Sequence, residues 1–278
     1  MKKECFGAVG MLLLISCSSY ASEQFNDTVK GRTYMQYEHD YLTTSRRHTD
    51  SIKIVHQTKN NWHYEAKFGT YSGKSDQYVS NEYGGSAGFV LQYTKYLDRK
   101  TYFSPSLEID LTNNGVQYLA GASVYRKLTK NWGGYVRYRY QYRRISRSDK
   151  YSTRNMYING DPNQGVESVT YLSSGDIGTH RFETGIDYSG IRNWRFTYIL
   201  LYDYAKYINS PKSCSSYTCT GKHYYIYDNK HGYLYNELKV QYYGYKKFIP
   251  YFEVDQKSAS STSKKHQAVV EAGFNWYF

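Results

Sequence analysis

Polar and apolar residues alternate one for one along segment after segment of this 278-residue chain. The clearest stretch is Tyr135-Val136-Arg137-Tyr138-Arg139-Tyr140-Gln141-Tyr142-Arg143. Val136, Tyr138, Tyr140 and Tyr142 share one face, and Arg137, Arg139, Gln141 and Arg143 share the other. A period of two belongs to a strand with two unlike faces. Val269 to Phe278 alternates in the same way and ends on an aromatic residue. Such segments recur roughly every twenty residues, separated by short turns and longer polar stretches in turn, which is the rhythm of successive hairpins. Short turns fall at Lys59-Asn60-Asn61, Leu97 to Lys100, Thr129 to Asn131, Ser189 to Asn193 and Gly244 to Lys247. Longer segments rich in Ser, Thr, Asn, Asp and Gly lie around 40–48, 72–84, 112–116, 146–178, 207–231 and 256–264. Five turns join six hairpins, so the pattern predicts twelve strands. At about 10 residues per strand, roughly 120 residues would cross a bilayer.

Face parity then decides what each side meets. An arginine aimed at hydrocarbon costs about 2–4 kcal/mol at mid-membrane, so Arg137, Arg139 and Arg143 must point inward and the tyrosines outward. The same rule turns Lys30, Arg32, Tyr34, Gln36 and Glu38 into the lumen, followed by Lys53, Glu65, Lys67, Glu108 and Asp110. Further along come Arg181, Glu183, Asp187, Arg195, Asp203, Glu237, Lys239, Gln241, Tyr251, Glu253, Asp255, Glu271 and Asn275. The expected fold is all-β: a transmembrane antiparallel up-and-down β-barrel of 12 strands, occupying residues 22–278 as one domain.

The remaining composition fits this reading. Mean hydropathy is −0.76 and no run of about 18 apolar residues follows the N-terminal segment, so no transmembrane helix is expected. A barrel escapes that test because half of each strand faces water. Tyr supplies 36 residues against 11 Phe, and its apolar ring with a polar tip suits the membrane interface; a Tyr-rich soluble β-protein is the alternative. Lys2 and Lys3 followed by the apolar run Phe6 to Ile15 read as a secretory signal cleaved after Ala21. The rival is a lipoprotein-type site at Cys17, which would leave an acyl anchor. Cleavage removes Lys2, Lys3 and Glu4, taking the net charge from +12 to +11. Cys214 and Cys219 remain, in a polar stretch of a secreted chain, where a local disulfide is expected. Zinc binding is the weaker option, since no spaced partner accompanies them, and no other metal motif is present.

Repeated inward cations would form an electrostatic track that a low-dielectric wall concentrates, with guanidiniums suited to carboxylates. Several weak sites in series would let an anion leave as well as enter. Lys30, Arg32, Lys53, Lys67, Arg137, Arg139, Arg143, Arg181, Arg195 and Lys239 are the candidate pore-lining cations, with Tyr34 and Tyr251 available for sugar rings or hydroxyls. The bland alternative is that these cations only pair with lumen acids. On the strand of Arg181 that alternative is the better one, because Glu183 and Asp187 share its face; the strand of Arg137, Arg139 and Arg143 carries no inward acid. The eight histidines are scattered, and no catalytic triad, phosphate loop, metal cluster or acid-base pair stands out. An enzyme, a cofactor and a nucleic-acid partner are not expected.

The chain resembles the oligogalacturonate-specific porin family, which includes the N-acetylneuraminate channel. The resemblance rests on Asn113-Asn114-Gly115, Leu128 to Trp132, the Arg-Tyr-Arg-Tyr strand at Val136 to Tyr140, His180 to Glu183, Pro250 to Asp255 and the closing aromatic strand. It implies a monomeric twelve-stranded outer-membrane barrel with a narrow basic pore for acidic oligosaccharides, oligogalacturonate-like or sialic acid. Arg137, Arg139 and Arg181 match best. Ser104 before Pro105 stands where the family tends to have Arg, and Asp110 and Glu271 stand where similar chains are neutral or basic. The implied partners are acidic oligosaccharides, outer-membrane lipids and the barrel-assembly machinery. A surface adhesin or structural barrel with a closed lumen, working through 146–178 and 207–231, is the competing expectation.

In the last strand Val270, Ala272, Phe274, Trp276 and Phe278 are assigned outward, with Phe274, Trp276 and Phe278 as the assembly signal. Phe278→Ser should therefore lower the fraction of chain recovered folded in outer membranes, read from the heat-modifiable band in electrophoresis. Unchanged recovery would remove that role from Phe278.

Overall fold

The computed structural model describes residues 31–44, 46–72, 82–112, 115–145, 152–157, 166–171, 176–209, 212–214, 219–221 and 224–278. The expected signal segment, Cys17 and Lys30 lie outside the described residues. Twelve antiparallel strands close into a barrel. They are β1 (Arg32–Leu42), β2 (Arg47–Gln57), β3 (Trp62–Ser72), β4 (Glu82–Tyr93), β5 (Thr101–Thr112) and β6 (Gly115–Lys127). Then follow β7 (Trp132–Ile145), β8 (Asp176–Tyr188), β9 (Trp194–Asn209), β10 (Gly232–Tyr242), β11 (Phe248–Ser258) and β12 (His266–Tyr277). Each pairs with its chain neighbour, and β12 returns to β1 in a register running from Tyr34 opposite Tyr277 to Leu42 opposite Val269. Closure leaves no barrel edge, so the spanning backbone is satisfied without water. The pair Lys95–Tyr96 continues β4 past Thr94 against Tyr102 and Phe103.

All five expected short turns are present. The loops differ more. The segment expected over 40–48 contracts to four residues between Leu42 and Arg47, because β1 and β2 stay paired almost to the turn. The segments around 146–178 and 207–231 are not wholly irregular. Short strands Ser152–Tyr157, Val166–Tyr171, Lys212–Cys214 and Cys219–Gly221 form a second, four-stranded sheet. Its backbone register sets Cys214 opposite Cys219. The 16-residue β9 spans more than the 9–11 residues a tilted membrane strand needs, so it carries the barrel wall beyond the hydrocarbon toward this sheet. Longer loops face outward in such barrels, which places the second sheet at the extracellular end and the short turns in the periplasm.

The outer surface fixes the membrane position. Ile52, Phe68, Phe89, Leu107, Leu234 and Leu238 are exposed, a belt of apolar side chains that hydrocarbon favours and water would not. At the periplasmic end lie all four tryptophans of the chain: Trp62, Trp132 and Trp194 each open a strand, and Trp276 is the penultimate residue of β12. Three face a tyrosine across the ladder, with ring centroids 5.0 Å apart for Trp62 and Tyr93, 4.6 Å for Trp132 and Tyr188 and 4.9 Å for Trp194 and Tyr242. This is the interfacial aromatic girdle. Each tryptophan follows an asparagine, and Asn61 and Asn193 adopt positive φ of 64° and 65°, which Asn tolerates better than most residues. In another turn, the exposed Asp98 accepts a 2.6 Å hydrogen bond from the Lys100 backbone N–H, which holds its carboxyl below the usual range.

Leu107 is 60 % exposed in mid-strand, opposite Leu91 and Ala120. Leu107→Arg should therefore destabilise the folded barrel in lipid by about 2–4 kcal/mol, measured by denaturant unfolding in vesicles. An unchanged midpoint would place Leu107 outside the hydrocarbon.

Candidate functional site

The pleat delivers the inward row of every strand to one lumen, and register decides which charges meet. Glu183, 4 % exposed, lies opposite Arg137 on β7. Its carboxylate takes a 2.5 Å hydrogen bond from Arg139 Nη2 and lies 3.4 Å from Arg137 Nε. Arg139 Nη1 is also 3.5 Å from Glu108 on β5. The two guanidiniums thus face acids supplied by strands on either side of their own.

Arg181 pairs with neither Glu183 nor Asp187. It sends Nε and Nη2 to the two oxygens of Asp203 on β9, both at 2.7 Å, a bidentate fork. The reason is geometric. Residues two apart on one strand share a face but diverge along it, whereas Asp203 stands directly opposite Arg181. Asp187 is taken by Arg195 at 3.4 Å. Lys239 binds Glu253 at 2.6 Å, and Lys53 binds Glu38, which also lies 3.8 Å from Lys67.

Arg143 is different. Its Nε and Nη2 donate to one neutral oxygen, Gln117 Oε1, at 3.0 and 2.8 Å, and its side chain is exposed to the lumen. Gln117 was not among the expected site residues. Its inward parity in β6 is legible in the sequence, but a neutral side chain carries no charge signal to mark it as a site residue.

Two cavities meet at Gln117 and Arg143. The larger, about 430 Å³, reaches from His63 and Gln92 near the periplasmic end to Thr112 and Arg143 at the extracellular end. Lys53 and Lys67 border it on one side and Arg137, Arg139 and Arg143 on another, with Glu65, Glu108 and Asp110 between them. The second, about 270 Å³, continues past Arg181, Asp203, Tyr235 and Lys257 to Tyr224 and Ile226.

The other expected residues border neither cavity. Arg195 is 2 % exposed at the periplasmic end, where Tyr34, Tyr102, Tyr125 and Tyr135 are buried with it. Tyr102 stacks on Tyr125 at 4.9 Å and Tyr34 on Tyr277 at 5.0 Å. Tyr135 lies flat on Gly185, where a Cβ would collide with its ring. Tyr251 is buried under Lys239, whose Nζ sits 3.9 Å from the ring centroid, and its hydroxyl accepts a 3.0 Å bond from Gln36. Arg32 opens β1 opposite Gln57. The lumen is therefore open along β2 to β11 toward its extracellular half and packed at its periplasmic end.

Solved structures share this architecture. The NanC porin matches with a TM-score of 0.58 and 16% identity, over 87% of this chain and 98% of that one. The fold is that of an outer-membrane channel. The KdgM porin in complex with disordered oligogalacturonate matches at 0.53 and 14% identity, over 88% and 99% of the two chains. An outer membrane channel from Pseudomonas putida F1 matches at 0.53 and 10%, over 92% and 98%. No protein-family model and no curated protein matches the sequence.

Glu183→Gln would leave two arginines without their shared buried acid. Breaking a buried pair costs about 3–5 kcal/mol, so the variant should unfold at lower denaturant concentration by that order. Arg137→Gln, which leaves Arg139 in place on Glu183, should cost less. Equal losses would show that Glu183 is not the hub.

Proposed function

We propose that this chain is a diffusion channel for small acidic saccharides. The observation that carries the reading is the larger cavity. Cations from β2 and β3 and cations from β7 border the same water-accessible space, and Arg143 presents its charge there on a neutral partner. A carboxylate entering from the extracellular side would meet Arg143 first and then the Arg139 and Lys67 region. The guanidiniums of Arg137 and Arg139 are partly neutralised by Glu183 and Glu108, so each site holds an anion weakly, as passage requires. Glu108 and Asp110 offer acceptors for sugar hydroxyls. Likeness to a porin solved with oligogalacturonate supports the saccharide class.

One observation favours the competing reading of a closed barrel: the tyrosine-packed periplasmic end around Arg195. Single-channel recording separates the two. The purified chain in planar bilayers should open anion-preferring channels whose current galacturonate oligomers interrupt. A unit charge 4 Å from an ion is worth about 1 kcal/mol in water, so Arg143→Gln should lower the anion-to-cation permeability ratio roughly fivefold. Absence of conductance, or cation preference in the unsubstituted chain, would overturn the proposal. Conductance with unchanged selectivity in Arg143→Gln would move the anion path away from this residue.

A further inference from the structure

Outside the two cavities, the lumen wall from β10 round to β1 carries a row of carboxylates in direct cross-strand opposition. Glu237 lies opposite Asp255, Glu253 opposite Glu271, and Glu271 opposite Asp40. Like charges directly opposite destabilise a sheet, and among the described residues only Lys239 and Lys257 answer them within ion-pair distance. Each lysine takes one oxygen, Glu253 Oε2 at 2.6 Å and Asp255 Oδ2 at 3.2 Å. The opposite oxygen of Asp255 is left. Asp255 is 4 % exposed, and its Oδ1 is buried without a hydrogen-bond partner; Glu271 Oε1 is buried in the same condition. Among the described residues, Glu237 has neither a hydrogen-bond nor an ion-pair partner, and it stands with Glu253 and Asp255.

A buried carboxylate oxygen with no donor costs free energy unless something binds it. One oxygen each from Glu237, Glu253 and Asp255 lies within 4.8 Å of the others. Calcium takes oxygen ligands at 2.3–2.6 Å, so two of its ligands stand up to about 5 Å apart; magnesium, at 2.0–2.1 Å, draws them closer. Carboxylate-only donors exclude the softer transition metals by preference. We propose that Glu237, Glu253 and Asp255 form a lumen-wall calcium site, with Lys239 and Lys257 retained on the outer oxygens. The bound ion offsets the like-charge ladder and makes this arc of the wall less repulsive to anions. The site does not depend on the saccharide reading.

Calorimetric titration of CaCl2 into the detergent-folded full chain, stripped with chelator at pH 7, tests it. One saturable calcium site is expected, with a dissociation constant between about 10⁻⁴ and 10⁻³ M, the range of extracellular modules. MgCl2 should bind more weakly. Glu237→Gln, which removes an acid that has no structural partner, should weaken calcium at least about tenfold. Asp98→Asn, in an exposed turn, should bind calcium as the parent does. If Glu237→Gln fails to fold, Asp255→Asn with Lys257→Met serves instead, judged by its heat-modifiable band. No saturable calcium uptake by the parent, uptake unchanged in the folded variant, or equal loss in Asp98→Asn would each overturn the site.

Discussion

Everything inside this barrel depends on the ladder between β1 and β12. A bilayer supplies no water to spanning backbone, so a sheet survives there only when its first and last strands pair. Once Tyr34 meets Tyr277 and Leu42 meets Val269, the pleat of every other strand is set. A slip of one residue would send Glu271 and Asn275 to lipid and Phe274 and Trp276 to the lumen. Closure therefore fixes the cross-lumen positions of charge as well as the wall. It also forces some awkward neighbours. Arg139 and Arg181 stand directly opposite each other, and each escapes by turning away, Arg139 to Glu183 and Glu108, Arg181 to Asp203.

What was legible in the sequence follows from what has a local cause. The period of two reports strands and faces because hydrocarbon penalises charge on one side, and the outward row of Tyr138 and Phe274 and the inward row of Arg137 and Glu271 read directly. Turns were legible because Asn and Gly mark them. The tryptophan girdle was legible too, in four Asn-Trp steps at 61–62, 131–132, 193–194 and 275–276, though the turns drew notice without the tryptophans. Ion-pair partners were not. Glu183 was assigned to Arg181 by shared face on one strand, yet it serves Arg137 and Arg139 across the ladder, because cross-strand opposition brings side chains closer than a two-residue step along a strand. The second sheet beyond β9 escaped for a related reason: its strands are short, and the stretch of 207–231 that holds Lys212–Cys214 and Cys219–Gly221 is rich in Ser and Thr.

Net charge misled in an instructive way. A value of +12 invites the picture of a basic pore, but much of the described basic excess sits elsewhere. Lys59, Arg99, Lys100, Lys130, Arg192, Lys246 and Lys247 are exposed in the five periplasmic turns, where Asp98 is the acid among them, and Lys95 is exposed beside one of them. Within the lumen, acids sit beside most cations. The field inside the lumen then turns on which charges lack an opposite partner and border open space, and total charge says little about that. Among the described residues Arg143 satisfies both conditions, held by Gln117 where the two cavities join. Arg195 satisfies neither, being sealed with Asp187 among tyrosines.

The two ends of the lumen consequently have different physics. At the extracellular half the wall is lined by charged side chains that water and solutes reach, so its field is the sum of local pairs and their imperfect cancellation. At the periplasmic half the rings of Tyr34, Tyr102, Tyr125 and Tyr135 replace water, and small residues such as Gly185 let them lie against the wall. In that drier medium a single ion pair interacts more strongly, and Arg195 with Asp187 contributes to bracing the barrel where the strands begin and end. Passage through this end requires ring displacement, since Tyr34, Tyr102, Tyr125 and Tyr135 are all buried there. Such displacement is opposed by lost aromatic contact, the Tyr102–Tyr125 stack at 4.9 Å among it. The same packing that strengthens the barrel therefore narrows its lumen at that end.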